Sequence, residues 1–254
     1  MRRILLALLL LPVAACETVP VTGRSQLLLV SEGEETKMGI DAYQGILSKS
    51  KVSSDPRLND QVTRVGKRIA DATGRTDYPW EFKVLDDPQA NAFCLPGGKV
   101  AVYTGILPIT RDDAGLAAVL GHEVAHAVAR HGGERMSQTI LVQTGLAATQ
   151  TALAGNDPIV VQSVTALLGA GASVGLLLPW NRSQESEADH LGLIYMAKAG
   201  YNPIAARDLW VRMGAASRNS DAPPAFLSTH PSAATRVTQI EGWMPEALQY
   251  YRPR

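Results

Sequence analysis

Residues 115–131 read GLAAVLGHEVAHAVARH, and the histidine pair inside this apolar stretch restricts the chain more than any other feature. On a helix, His122 and His126 stand one turn apart on one face, about 40° from each other. Two neutral imidazoles so placed can hold a zinc ion. Glu123 between them is a carboxylate able to take a proton from a water activated there, so the spacing points to hydrolytic chemistry. The surroundings favour a helix. Asp112 or Asp113 can cap its start, alanine and leucine fill it, and Gly132-Gly133 can stop or bend it. Because the helix is apolar nearly all round, it is expected to be buried. A buried glutamate flanked by buried histidines needs partners, and zinc is the simplest one.

The chain's 254 residues are 46% hydrophobic and 19% charged, which suits one medium-sized domain able to fold unaided. Residues 1–15 carry Arg2-Arg3, an apolar run and then small residues, the pattern of an export signal too short to be an ordinary spanning helix. Without Arg2 and Arg3, the 24 Lys and Arg fall to 22 against 24 Asp and Glu, so nothing suggests nucleic acid or an anionic surface as partner. VAAC at residues 13–16 resembles a bacterial lipobox, in which Cys16 is lipidated and becomes the mature amino terminus. Several acyl chains on one cysteine hold a membrane firmly. Glu17, where aspartate would resemble an inner-membrane retention signal, leans towards the outer membrane. Cys94 is then the one remaining thiol, so no intrachain disulfide is expected in the mature form.

Residues 17–30 read as a tether. Ser31-x-x-Glu34 is a capping box opening a helix to about Lys49, and Asp55-Pro56 opens another to about Ala72. Residues 80–85 alternate as a strand, and Asp86-Asp87-Pro88 turns the chain. Residues 91–104 place two extended runs around Pro96-Gly97-Gly98, a hairpin just upstream of the histidine helix. Its first run, Asn91, Ala92, Phe93, Cys94 and Leu95, is the expected substrate-binding edge, where an extended peptide adds as a strand. Cys94, between Phe93 and Leu95, is expected to be a small buried hydrophobe. Residues 134–178 are rich in small and apolar residues, and 159–178 lack any charge, which suggests a buried or membrane-leaning helical hairpin rather than a spanning helix.

Residues 181–190 open a further helix on which Glu185 and Asp189 share a face and Glu187 points nearly the opposite way. A carboxylate ligand with a second carboxylate one turn on suits a zinc site, the second accepting the other N–H of a ligand histidine. Tyr201-Asn202-Pro203 starts another helix, and residues 234–250 form the last. His190 and His131 both leave the ligand face. His230 precedes Pro231, which keeps it from an easy helical conformation and presents the imidazole from a loop.

HEVAH, NRSQESEAD and the NAFCLPGGKVAVYTGIL hairpin together resemble the HtpX-like gluzincin zinc metallopeptidases, whose superfamily also includes the CAAX prenyl endopeptidases. LSTHPSAATRV resembles a further motif of the soluble envelope branch and of the related mitochondrial inner-membrane stress peptidase. The resemblance covers residues 31–245. It implies an α+β, predominantly α, zincin-like domain over residues 31–254, with a small β-hairpin or sheet beside the HExxH helix. It also implies one zinc per chain on His122, His126 and Glu185, and Glu123 as general base. Asp189 falls on the family's aspartate behind a ligand histidine, and Arg182 on its arginine before the ligand glutamate.

The expected activity is that of a periplasm-facing, lipid-anchored zinc endopeptidase acting on unfolded or damaged envelope proteins. A mainly non-catalytic chaperone using the same groove is the alternative, disfavoured because a binding module needs no Glu123. A peptidoglycan-directed zinc hydrolase is a weaker one. His230 has three possible roles: donor to the oxyanion formed on the substrate carbonyl, latent occupant of zinc's open position, or structural histidine before the last helix. The latent role is favoured, since loop histidines bind zinc readily.

Overall fold

A computed structural model of the chain describes residues 16–172, 178–218, 224–230 and 235–253. The expected export signal, residues 1–15, lies outside them, as do residues 231–234 after His230.

The described residues begin not as a tether but as a docked hairpin, β1 (Cys16–Thr18) paired antiparallel with β2 (Ser25–Leu27). Val19 between them is buried in the main core, and Arg24 forms ion pairs with Glu134 and Glu187. These anchors tie to the domain a segment expected to be a tether.

Helix α1 (Glu32–Leu47) opens on the capping box, Glu34 N donating to Ser31 Oγ while Ser31 N donates to Glu34 Oε2. Helix α2 (Pro56–Thr73) opens on Asp55, whose carboxylate accepts from Arg57 N. A three-stranded sheet follows, with order β3 (Glu81–Leu85), β5 (Lys99–Tyr103), β4 (Ala92–Leu95); β5 runs parallel to β3 and antiparallel to β4. Strand β4 is therefore an edge. Tyr103 N donates to Asn91 O, so in an antiparallel ladder the polar backbone groups of Phe93 and Leu95 turn towards β5 and those of Ala92 and Cys94 turn outward.

After a 3-10 turn (Thr104–Ile106) and the single turn α3 (Leu107–Thr110) comes α4 (Asp113–Val128), buried along almost its entire length. Asp112 caps it, accepting from Gly115 N. The helix ends before the glycines expected to stop it. Arg130 takes a left-handed conformation (φ 56°) and α5 (His131–Ala152) begins at once, with Gly132 and Gly133 inside its first turn. Gly133 has another use: a Cβ there would meet Glu35 Oε1 at 2.1 Å.

Helices α5 and α6 (Pro158–Ala172) form the expected helical hairpin, but it is not buried. Ile159 and Leu167 are 73% and 74% exposed, and Ile140, Leu141 and Leu168 also face outward. Among the described residues no helix is long and apolar enough to cross a membrane.

The rest of the chain closes over α4. Helix α7 (Leu178–Lys198) lies along it, joined by α8 (Ile204–Arg218), started by Asn202 Oδ1 accepting from Ile204 N, by the short α9 (Ala225–Thr229), and by α10 (Arg236–Tyr250). The α4–α7 approach is so close that a Cβ on Gly121 would stand 2.8 Å from Gly192 O, and one on Gly192 2.7 Å from His122 N. Both obstacles are backbone, which cannot rotate away. Two glycines therefore let the helix carrying His122 touch the helix carrying Glu185 and Asp189. Gly121→Ala is expected to cost about 1–3 kcal/mol through overpacking, read as a lower urea midpoint. An unchanged midpoint would contradict this account of the crossing.

Candidate metal centre

The HExxH turn and the second half of α7 meet at the Gly121–Gly192 contact. His122, Glu123 and His126 are buried, and so are Glu185 and Asp189. The two histidine Nε2 atoms are 3.1 Å apart. Glu185 Oε2 lies 3.4 Å from His122 Nε2, and its Oε1 3.3 Å from His126 Nε2. His230, at the carboxyl end of α9, supplies a fourth group: its Nδ1 is 3.1 Å from His122 Nε2 and 3.0 Å from Glu185 Oε2.

These separations suit one ion. Zinc bonds of about 2.0–2.1 Å in a tetrahedron imply ligand-to-ligand edges of about 3.3 Å. One atom from each of His122, His126, Glu185 and His230 lies within 4.8 Å of all the others. The chemistry agrees with the spacing, since two imidazoles and a carboxylate form a common zinc donor set. The site would hold zinc.

The other ring nitrogens have partners of their own. His122 Nδ1 is 2.9 Å from Asp189 Oδ1, so an N–H there leaves the Nε2 lone pair facing the centre. Asp189 is gripped in turn by the buried Arg236, through Nη2 at 2.7 Å and through Nε. The Arg236 guanidinium lies 3.5 Å over the Trp210 ring. Arg182, expected beside the ligand glutamate, is exposed, and Arg236 is the arginine against Asp189. Its signal was present in LSTHPSAATRV, which contains Arg236, but the segment offered no spacing argument that singled it out.

His131 is a second residue that spacing misplaced. On an uninterrupted helix it would stand about 140° from His126. The break at Arg130 instead returns its ring to His126, Nδ1 to Nδ1 at 2.8 Å, while its Nε2 lies 3.0 Å from Glu187 Oε2. Glu187 does face away from the centre, yet it is buried, held by Arg24 Nε at 2.8 Å and by the Thr22 hydroxyl. His190 lies apart from the centre, bonded to Glu246 and stacked on Trp243.

The electrostatics follow from this crowding. Burial and Arg236 work against protonation of His122, but its bonds to Asp189 and Glu185 outweigh them and push it up to about 9. Burial holds His126 well below its ordinary value. For Glu185, burial is outweighed by bonds from His122, His126 and His230, which keep it far below the usual carboxylate range. Glu123 is raised above its ordinary value by burial. Its Oε2 accepts from Cys94 N on the β4 edge at 3.2 Å, and its Oε1 faces His230 Nε2 at 3.2 Å. Cys94 is half-buried, with its thiol pushed up by burial and by Glu123.

Residues 56–244 match the model of peptidase family M48. The mitochondrial metalloendopeptidase OMA1 of Schizosaccharomyces pombe is 43% identical over 91% of this chain and 67% of its own length. The putative beta-barrel assembly-enhancing protease of Vibrio cholerae is 31% identical over 78% of this chain and 42% of its own length. The beta-barrel assembly-enhancing protease of Escherichia coli is 25% identical over 88% of this chain and 46% of its own length. The chain thus spans about two thirds of the fission yeast relative and less than half of the two bacterial ones. With that family model over most of its length, the zinc-sized gap between His122, His126 and Glu185, and Glu123 beside it, the chain belongs to peptidase family M48.

Proposed function

We propose that His122, His126 and Glu185 hold the zinc of this metalloendopeptidase and that Glu123 is its general base. The observation that carries the reading is the set of ligand-to-ligand separations near 3.3 Å, closed around a point that Glu123 borders. Zinc, when bound, polarises a carbonyl and brings the pKa of a water towards neutrality. Glu123 would accept a proton from the water attacking the scissile carbonyl and return it to the leaving amine.

Strand β4 is proposed as the substrate edge, through Asn91, Ala92, Phe93, Cys94 and Leu95. The outward carbonyls of Ala92 and Cys94 would accept from an extended peptide, while the Cys94 N–H bond to Glu123 ties that edge to the base. Recognition through the main chain asks little of side chains but requires an extended segment. This favours unfolded or damaged proteins as substrates and quality control as the task, in keeping with relatives named for β-barrel assembly and mitochondrial proteolysis. A lipid anchor on Cys16 and a periplasm-facing position, on the outer membrane rather than the inner, complete the proposal. Its support is the VAAC sequence and the bacterial relatives named for β-barrel assembly.

His230 is proposed to keep the resting centre latent. Its Nδ1 stands at the fourth corner of the ligand set and its Nε2 covers Glu123 Oε1, so the ring fills the space that attacking water needs. The capping role uses the backbone, His230 N donating to Phe226 O, and leaves the imidazole available. An oxyanion donor would have to leave that corner to water, which favours latency over the donor role.

Glu123→Gln is expected to abolish digestion of unfolded casein while zinc content stays at one per chain; digestion equal to wild type excludes the peptidase reading and favours a chaperone. His230→Ala is expected to raise basal proteolysis with zinc retained. A fall of about 100-fold or more would instead assign the oxyanion role.

A further inference from the structure

The two histidines of the HExxH turn are supported in different ways. His122 rests directly on a carboxylate, Asp189, whereas His126 rests on another imidazole, His131, which in turn rests on Glu187. We infer that His131 is a positioning residue for His126, and that the amino-terminal hairpin completes its support through Arg24 and Thr22; the inference rests on His126 being a zinc ligand, as proposed above.

The argument is one of hydrogen-bond polarity. The 2.8 Å contact between the Nδ1 atoms of His126 and His131 needs one N–H and one lone pair. For His126 to offer its Nε2 lone pair to the centre, its proton must sit on Nδ1, so His131 Nδ1 must accept. The His131 proton then sits on Nε2, where Glu187 Oε2 accepts it at 3.0 Å. One tautomer of each ring satisfies every contact, and both rings stay neutral. The carboxylate that ends the chain is paired with Arg24, whose Nε lies 2.8 Å from Glu187 Oε2 while its Nη1 and Nη2 hold Glu134 at 2.7 and 2.8 Å. His131 is fully buried, so water cannot replace any of these partners.

The backbone is arranged for the same end. Arg130 adopts φ 56° without being glycine, and this break turns the chain so that His131, the first residue of α5, packs against His126 at a ring separation of 4.9 Å. Thr22 and Arg24 come from the connection between β1 and β2, more than 160 residues from Glu187. The hairpin at the start of the described chain is thus part of the metal centre's support.

The test uses the full chain, stripped of metal and titrated with zinc against a competing chelator, with the visible spectrum of the cobalt-substituted protein as a second readout. His131→Leu is expected to weaken zinc binding by about 10- to 100-fold and to alter the cobalt spectrum, while His131→Asn, whose carboxamide oxygen can accept from His126, recovers most of the affinity. Glu187→Gln keeps volume and hydrogen bonding but removes the terminal charge, and is expected to weaken zinc several-fold, which decides the matter should His131→Leu not fold. Wild-type zinc affinity and cobalt spectrum in the folded variants would overturn the inference, whatever their melting temperatures. His126→Ala in the same titration separates the two claims. Zinc lost there but unchanged in the His131 and Glu187 variants removes the positioning role alone, and zinc retained there removes the ligand reading on which it stands.

Discussion

Burying ionisable groups around one helix is the constraint on which the rest of this structure depends. His122, Glu123 and His126 lie on α4 with almost no access to water, and Glu185 and Asp189 are pressed against them from α7. In such surroundings an unpaired charge is very costly, so each group must be matched by another. Asp189 is matched by Arg236, and Glu187 by Arg24 and His131. The lone pairs left over, on two imidazoles and one carboxylate, all face the same small volume. The fold is arranged to bring matching groups from far apart: Arg24 from the amino-terminal hairpin, Glu185, Glu187 and Asp189 from α7, and Arg236 from α10.

That arrangement depends in turn on backbone approach. Gly121 and Gly192 allow α4 and α7 to touch without side chains between them, one residue before His122 and three residues after Asp189. The three-stranded sheet fills the other side, and its edge strand β4 reaches Glu123 through the Cys94 amide. The proposed recognition edge, base and ligand set are therefore connected by short, direct contacts. His230 reaches the centre from the carboxyl end of a five-residue helix.

Much of this was legible in the sequence because it obeys local periodicities. The i, i+4 spacing of His122 and His126, and of Glu185 and Asp189, is set by the helix alone, and so are the caps at Ser31 and Asp55. The hairpin around Pro96 to Gly98 was equally readable. What escaped was whatever depended on where a helix breaks or on a partner far along the chain. His131 was placed off the ligand face because the left-handed turn at Arg130 has no glycine to announce it. Arg236 and Arg24 were missed because an arginine's partner 47 or 163 residues away leaves no pattern. Residues 17–30 read as a tether, yet Val19 and Arg24 pin them to the domain. The exposed apolar face of α5 and α6 could not be told from a buried one, since burial is a property of what covers a helix and not of the helix itself.

The central claim is that these buried groups form one zinc centre with nitrogen and oxygen ligands and His230 at its fourth corner. X-ray absorption at the zinc edge on the resting chain tests it most directly. The account predicts a shell of four nitrogen and oxygen scatterers at about 2.0–2.1 Å with the outer-shell signature of three imidazoles, falling to two in His230→Ala. A sulfur scatterer at about 2.3 Å, which would bring in Cys94, or a resting shell with fewer than three imidazoles, would contradict it.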